Sequence, residues 1–285
     1  MRYEAPDTIK AAVGLLSKAR GTSRILAGGT DLLVQMRSGM LEPDLIVDIK
    51  NIPGMFDIKV DKDGCWIGAA VSGAELGEHP KVRKSWPGVV EAVELIGSTQ
   101  IQGRATMVGN LCNASPAADS VPAMIAAGAM ARIVGPKRAR NVPVEDIAIA
   151  PGKTSLKKGE FVSGIFLPKP KARTGEAYLR FIPRTEMDIA VVGAGVRLTL
   201  NAKGVCTDAR VSLGAVAARA LIVKDAAKAL IGTTVDDAAL DKLAAVCSGA
   251  ARPIDDKRGT KEFRIKVAGV LARRAAIKAL ERARG

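Results

Sequence analysis

The chain has 285 residues, 48% hydrophobic and 25% charged, so it can bury a sizeable core as one large domain or two modest ones and is not a disordered chain. Its formal net charge is +14, but the basic residues are scattered and only 3% of residues are aromatic, which argues for a solvated basic surface, part of it open to an acidic protein partner, and against a base-stacking nucleic-acid binder. No apolar run is long enough to span a bilayer and the opening MRYEAPDTIK lacks the layout of a secretion signal, so a cytoplasmic chain with no membrane span is expected.

In residues 7–19, Ile9, Ala12, Val13 and Leu16 recur at helical spacing, and Asp7 or Thr8 is placed to cap the start. A short strand, RILAG, is followed by the pair Gly28-Gly29. TDLLVQMRSG then reads as a helix with Thr30 as its cap and Gly39 past its end, and DLIVDI as a strand. From Cys65, CWIGAAVSG reads as another strand, and PGVVEAVELIG as a helix opened by Pro87 and closed by Gly97. Residues 98–120, STQIQGRATMVGNLCNASPAADS, are polar, rich in small residues and aperiodic. A loop that long inside a compact domain points to function, and its Asn, Ser and Gly content to a structured loop rich in backbone donors.

Helix-then-strand patterning resumes with DSVPAMIAAGAMARIVG, and EFVSGIFLP is a strand. PKPKARTG, at 168–175, is the expected domain boundary. Beyond it AYLRFI, IAVVGAGVRLTLN and CTDARVSLGAVA read as three strands. LIVKDAAKALIG, DDAALDKLAAVCSGA and FRIKVAGVLARRAAIKALERA follow as three helices, an arrangement that suggests a separate α+β unit.

The four cysteines, Cys65, Cys112, Cys206 and Cys247, lack the short paired spacing of zinc or iron–sulfur sites, so no resident metal is expected. The single histidine, His79, lies in a loop-like stretch with no supporting triad motif, and nothing points to nucleophilic catalysis.

Three readings compete for Gly28-Gly29: a bare turn, a Rossmann turn, or a different phosphate cradle. Positions 28–33 do not match G-x-G-x-x-G, and Gly193-Ala-Gly195 lies in a strand pattern with no helix after it. The cradle needs glycines, a hydroxyl residue and a helix start that turn backbone N–H groups toward a pyrophosphate. AGGTD supplies these, and TMVGN at 106–110 offers a second such loop, so one diphosphate could be held between the two.

LAGGTDLLVQMRSG together with IGSTQIQGRATMVGNLCNASPAAD resembles the FAD-binding medium subunit of the molybdenum hydroxylases, the xanthine dehydrogenase and carbon monoxide dehydrogenase family. AYLRFIPRTEMDIAVVGAGVRL resembles the start of that family's C-terminal flavoprotein domain, and the likeness covers essentially the whole chain in order. It implies an α+β protein: a two-subdomain α/β FAD-binding domain of the vanillyl-alcohol-oxidase-like (PCMH) type over 1–172, with subdomains of about 1–55 and 56–172. A C-terminal domain over 173–285, a three-stranded antiparallel sheet with a three-helix bundle, completes it.

By the same resemblance the cofactor is FAD. Ala27, Gly28, Gly29, Thr30 and Asp31 wrap its pyrophosphate, flanked by Ile25, Leu26 and Leu32, and Thr106, Gly109 and Asn110 hold the other side. Asp119 accepts from the ribityl hydroxyls, Ile96 faces the isoalloxazine ring, and Val162 and Arg180 lie near the flavin. The family usually has two glycines in the second loop. Val108 replaces the first here, and a valine that disfavours positive φ implies an extended backbone at 108 or an adjusted loop. The cysteine-bearing insertion that carries a four-iron cluster in one subfamily is missing, so no cluster is expected.

Beside these stand plainer readings. Asp31 favours a helix N-terminus, Asp119 caps the helix after it, Ile96 and Val162 are core, and Arg184 and Asp188 form a structural pair. The implied function is electron transfer within a complex that also holds a small subunit with two 2Fe–2S clusters and a large molybdopterin subunit, as a dimer of heterotrimers. Electrons pass through FAD to NAD, oxygen or a quinone, and no residue of this chain acts as a catalytic acid or base. The alternative is a stand-alone FAD-dependent oxidoreductase of the same fold, for which the sequence offers no acid–base group.

Overall fold

The computed structural model describes residues 1–285. In chain order its elements are β1 (Arg2–Glu4), α1 (Ile9–Lys18), β2 (Ser23–Leu26), α2 (Leu32–Arg37), β3 (Leu45–Asp48), β4 (Ile58–Val60), β5 (Gly64–Gly68), α3 (Gly73–Glu78), α4 (Pro80–Ser85), α5 (Pro87–Val93), α6 (Thr99–Gln102), α7 (Met107–Cys112) and α8 (Ser120–Ala127). Then come β6 (Met130–Val134), β7 (Arg140–Pro143), β8 (Ala148–Ala150), β9 (Lys153–Thr154), β10 (Phe161–Pro168), β11 (Thr174–Phe181), β12 (Val192–Leu200), β13 (Cys206–Gly214), β14 (Leu221–Ile222), α9 (Lys224–Leu230), α10 (Asp237–Ala250) and α11 (Lys261–Arg284).

Three sheets organise the chain. The first is parallel, in the order β1-β3-β2. Its central strand, β3, is buried at every position, as an unbroken Leu-Ile-Val run requires when both faces are covered. α1 covers it with Ala12, Val13 and Leu16, and the Thr8 hydroxyl caps α1 by accepting from the Ala11 N–H at 3.2 Å. The second sheet runs β4-β5-β10-β6-β7 and is antiparallel. Its long central strand, β10, pairs with β5 almost 100 residues earlier in the chain and with β6 on its other edge. One apolar core of 37 buried residues, from Ala12 to Leu167, runs under both sheets.

The third sheet, β11-β12-β13-β14, is antiparallel and encloses a second core of 29 buried residues with α9, α10 and α11. α11 lays Ala268, Ala272, Ala275, Ala276 and Ala279 on the sheet. The approach is so close that a Cβ on Gly175 would sit 2.0 Å from the Ala279 carbonyl oxygen. Leu221–Ile222 belongs to this sheet, pairing with Ser212 and Leu213, so the sheet has a fourth strand where the sequence pattern read the start of a helix. Two residues are too few to show an alternation.

α8 is buried along its whole length and lies against the third sheet. Gly195 makes this possible, and Gly193 makes room for the Tyr178 ring beside it. A Cβ on Gly195 would come within 2.6 Å of the Pro122 carbonyl oxygen, and one on Gly193 within 2.6 Å of the Tyr178 hydroxyl. The same junction buries charge. Glu176 accepts from the N–H groups of Gly88 (3.1 Å) and Val89 (3.3 Å) at the start of α5, and burial pushes its carboxyl up to about 7. Glu91, further along α5, accepts from Arg282 and Lys278 of α11 and from the Tyr178 N–H, and these donors hold its carboxyl below the usual range.

The expected long loop over 98–120 differs most from the structure. It holds two helices, α6 with four residues and α7 with six, each less than two turns and so too short to show a hydrophobic period. His79 lies between α3 and α4, where its Nδ1 accepts from the Val82 N–H at 3.4 Å as a helix cap. All four cysteines are free thiols. No helix is long and apolar enough to cross a membrane.

Candidate cofactor site

The turn between β2 and α2 is built by two glycines with different tasks. Gly29 has φ +80°, a conformation glycine adopts without strain. Gly28 is needed for closeness: a Cβ there would stand 1.9 Å from the Arg104 carbonyl oxygen and 3.2 Å from the Ala105 Cα. The turn is therefore pressed directly against the backbone that leads into Thr106, and loops about 80 residues apart in sequence meet.

Neither Thr30 nor Asp31 caps α2. Asp31 stands at the N-cap position with helical dihedrals and makes no side-chain cap bond. The N–H groups of Gly28, Gly29, Thr30, Asp31 and Leu32 donate to no atom of the chain, and the first intrahelical bond runs from the Leu33 N–H to the Gly29 carbonyl at 3.0 Å. Five consecutive unpaired donors have the chemistry that an anion-binding concavity requires.

The second loop is organised differently. Thr106 caps α7, its hydroxyl accepting from the Gly109 N–H at 2.9 Å. Val108 lies in the first turn of α7 and is buried, so the backbone at 108 is helical, not extended; a helix has negative φ throughout, and valine fits it. The N–H groups of Met107 and Val108, as first-turn donors, take no acceptor within the chain. Asn110 Oδ1 accepts from the Ser120 N–H (3.2 Å) and Ser120 hydroxyl (2.7 Å), an arrangement that turns the Asn110 amide NH2 away from Ser120.

These loops line one cavity of about 520 Å³, within the range of a cofactor pocket. Ile25, Ala27, Gly28, Gly29, Thr30, Asp31, Leu32, Ile96, Thr106, Gly109, Asn110 and Val162 are all on its wall. Leu26, Asp119 and Arg180 are not. Leu26 lies in β2 beside Asp48 of β3. Asp119 is engaged within the protein: Tyr178 donates its hydroxyl to Oδ1 at 3.0 Å and Arg180 Nη1 donates to Oδ2 at 2.8 Å. Burial pushes the Asp119 carboxyl up to about 6 against the pull of Arg180 and Tyr178. Nor does Asp119 cap α8, for its dihedrals are helical and its side chain bonds elsewhere. Arg184 and Asp188 do pair, at 3.2 Å, with Arg258 as a third member, and these donors draw Asp188 down to about 2.

Sequence reasoning missed the far wall. Arg24, Lys157 and Lys158 line the cavity, and Gln35 and Asn113, joined at 3.0 Å, tie α2 to the end of α7. The signal was available in TSLKKGEF, where two adjacent lysines and Gly159 mark a turn ahead of a strand. In that turn the Glu160 N–H donates to the Lys157 carbonyl, and Gly159 has φ +84°.

The donor set fits a dinucleotide diphosphate: unpaired backbone N–H groups from two loops, three cations and an apolar wall in one cavity. Residues 1–170 match the family described as FAD binding domain in molybdopterin dehydrogenase, and residues 177–279 the CO dehydrogenase flavoprotein C-terminal domain. The chain belongs to this family. Among its relatives is the carbon monoxide dehydrogenase medium chain of Afipia carboxidovorans, 34% identical over 99% of this chain and 97% of that one. Another is the xanthine dehydrogenase FAD-binding subunit of Escherichia coli O157:H7, 28% identical over 99% and 97%. Among solved structures, reconstituted CO dehydrogenase from Oligotropha carboxidovorans superposes with a TM-score of 0.94 at 33% identity, covering 99% of this chain and 98% of that one. This member of the molybdopterin-dehydrogenase flavoproteins is an oxidoreductase subunit, its cofactor is FAD, and its role is electron transfer through that FAD. The four-stranded third sheet and its three helices are the family's C-terminal domain.

Proposed function

We propose that the β2–α2 turn and the start of α7 together grip the FAD pyrophosphate. The observation that carries this is the run of unpaired N–H groups at 28–32 pressed by Gly28 onto the backbone that leads into Thr106. Arg24, Lys157 and Lys158 add positive charge around the same space, and the Asn110 amide and Thr106 hydroxyl add fixed donors. Ile25, Ile96 and Val162 give the apolar wall against which a planar ring packs. Bound there, FAD supplies one- and two-electron transfer; the chain's part is to bind and orient it and to exclude water.

In this reading the domains divide near residues 172–173, with subdomains of about 1–55 and 56–172. The chain works in the cytoplasm beside a small 2Fe–2S subunit and a large molybdopterin subunit, as a dimer of heterotrimers. It takes electrons from the iron–sulfur chain and passes them to NAD, oxygen or a quinone. Support comes from relatives that are subunits of such dehydrogenases: the nicotinate dehydrogenase FAD-subunit of Eubacterium barkeri is 29% identical over 81% of this chain. The deciding experiment is affinity purification of the tagged chain from its native cell. Co-elution of an iron–sulfur chain and a molybdopterin chain with stoichiometric FAD is expected. A yellow chain that elutes alone and turns over a substrate unaided would establish the stand-alone oxidoreductase instead.

A further inference from the structure

Asp119, expected to accept from the ribityl hydroxyls, and Arg180, expected near the flavin, form a buried ion pair with 9% and 4% of their side chains exposed. An ion pair this deep in the protein must have every polar atom satisfied to avoid a large desolvation cost. Its partners are specific. Arg180 Nη1 donates not only to Asp119 but also, at 2.7 Å, to the Leu95 carbonyl, and the next residue, Ile96, is on the cavity wall. The other Asp119 oxygen accepts from Tyr178. Asp119 is followed directly by Ser120, whose N–H and hydroxyl both donate to Asn110 Oδ1, and Asn110 is on the cavity wall too.

Tyr178 and Arg180 stand two residues apart on β11, hence on the same face of a strand that belongs to the C-terminal domain, not to the cavity. The Met187 N–H reaches the same turn of chain, donating to the Gly97 carbonyl at 3.4 Å, and Met187 holds a strained φ of +52° to do so.

We infer that Arg180 and Tyr178 are positioning residues through which the C-terminal domain fixes two walls of the FAD cavity, the Ile96 turn by way of the Leu95 carbonyl and Asn110 by way of Asp119 and Ser120. The inference rests on the assignment of the cavity to FAD. It explains why a domain that contributes nothing to the cavity wall accompanies the FAD-binding domain in one chain. It also explains why Gly193 is needed: the Tyr178 hydroxyl, which reaches Asp119, passes where a Cβ on Gly193 would be. Both walls are set by side chains two positions apart on one strand, so a shift of β11 moves them together.

The test uses the full chain stripped of FAD and titrated with FAD, together with the absorption spectrum and midpoint potential of the reloaded protein. Arg180→Met removes both contacts and leaves the Leu95 carbonyl and Asp119 Oδ2 without a donor, while Tyr178 still holds Oδ1. It is expected to weaken FAD binding about 10- to 100-fold and to alter the flavin absorption band and potential. Arg180→Lys is the rescue: one nitrogen makes both native contacts, and a lysine ammonium has three donors, so affinity within about threefold of wild type is expected. Tyr178→Phe deletes one hydroxyl and conserves volume, so it reports even if Arg180→Met does not fold. About a fivefold loss of FAD affinity with a shifted potential is expected.

A merely structural role predicts lower melting temperatures with unchanged affinity, spectrum and potential in the folded variants. That result in Tyr178→Phe, and in Arg180→Met where it folds, overturns the inference while leaving the FAD site intact. A wild-type chain that takes up no FAD removes the site assignment itself, and this inference with it.

Discussion

The two loops that meet at the cavity reach the same end by opposite means. The turn at 28–32 has no cap, no side-chain partner for its amides and two glycines; the start of α7 has a threonine cap, a valine in its first turn and one unpaired pair of amides. The first is held open by contact with another backbone and the second by its own local hydrogen bond. In the proposed cradle glycine is thus needed only where another chain segment presses on the loop or where φ must be positive. Where a short helix supplies the amides, a β-branched residue serves.

Breaking the first loop should have the largest effect. Gly28→Ala drives a methyl into the Arg104 carbonyl, and two backbones must separate. A loss of about 3 kcal/mol in stability and of about 100-fold in FAD affinity is expected, read by chemical denaturation and by fluorescence titration. Because the added methyl meets protein first, a folded variant with wild-type FAD affinity would show that the contact with Arg104 does not shape the cradle.

The frame that carries both loops comes next. Burial lifts the folded-state carboxyl of Glu176 to about 7 from an ordinary 4.5, so between these values the native protein holds a proton that the unfolded chain has released. Stability from this group is therefore greatest below about pH 4.5 and falls as pH rises through 7. Glu176→Gln keeps the Oε1 acceptor for Gly88 and Val89 without the charge. Its stability relative to wild type should rise by on the order of 2 kcal/mol between pH 5 and pH 8, seen in paired denaturation curves. Parallel curves at both pH values would show that Glu176 is ionised in the native protein.

Thr106→Ala removes the α7 cap and frees the Gly109 N–H. A cost of about 1 kcal/mol in stability and a several-fold drop in FAD affinity are expected, with Thr106→Ser close to wild type in both. The smallest effect sharpens the contrast most. Val108→Gly restores the glycine usual in the family, yet in a helix it should lower stability by about 1 kcal/mol and leave FAD affinity unchanged. A gain in affinity would mean that 108 needs positive φ in the loaded protein.

The long periodic elements and the glycine turn at 28–29 were legible from the residues. α1, α10 and α11 carry a helical repeat and a capping side chain, β3 and β10 are apolar runs bounded by turn residues, and Gly28-Gly29 follows a strand. α6, α7 and β14 were not legible, since none is long enough to repeat the period that would announce it. Arg24 and Lys157 were hidden among scattered basic residues whose convergence depends on the first and second sheets coming together.

The sequence by itself determined the long periodic elements, the glycine turn after β2 and the order of motifs that marks the family. Only the tertiary structure decided which polar groups face the cavity and which face one another. Asp119 and Arg180 show why. A carboxylate and a guanidinium can each serve a cofactor, but in a buried site each charge must first be matched, and Tyr178, Leu95 and the pair itself do that matching from segments some 60 to 85 residues apart.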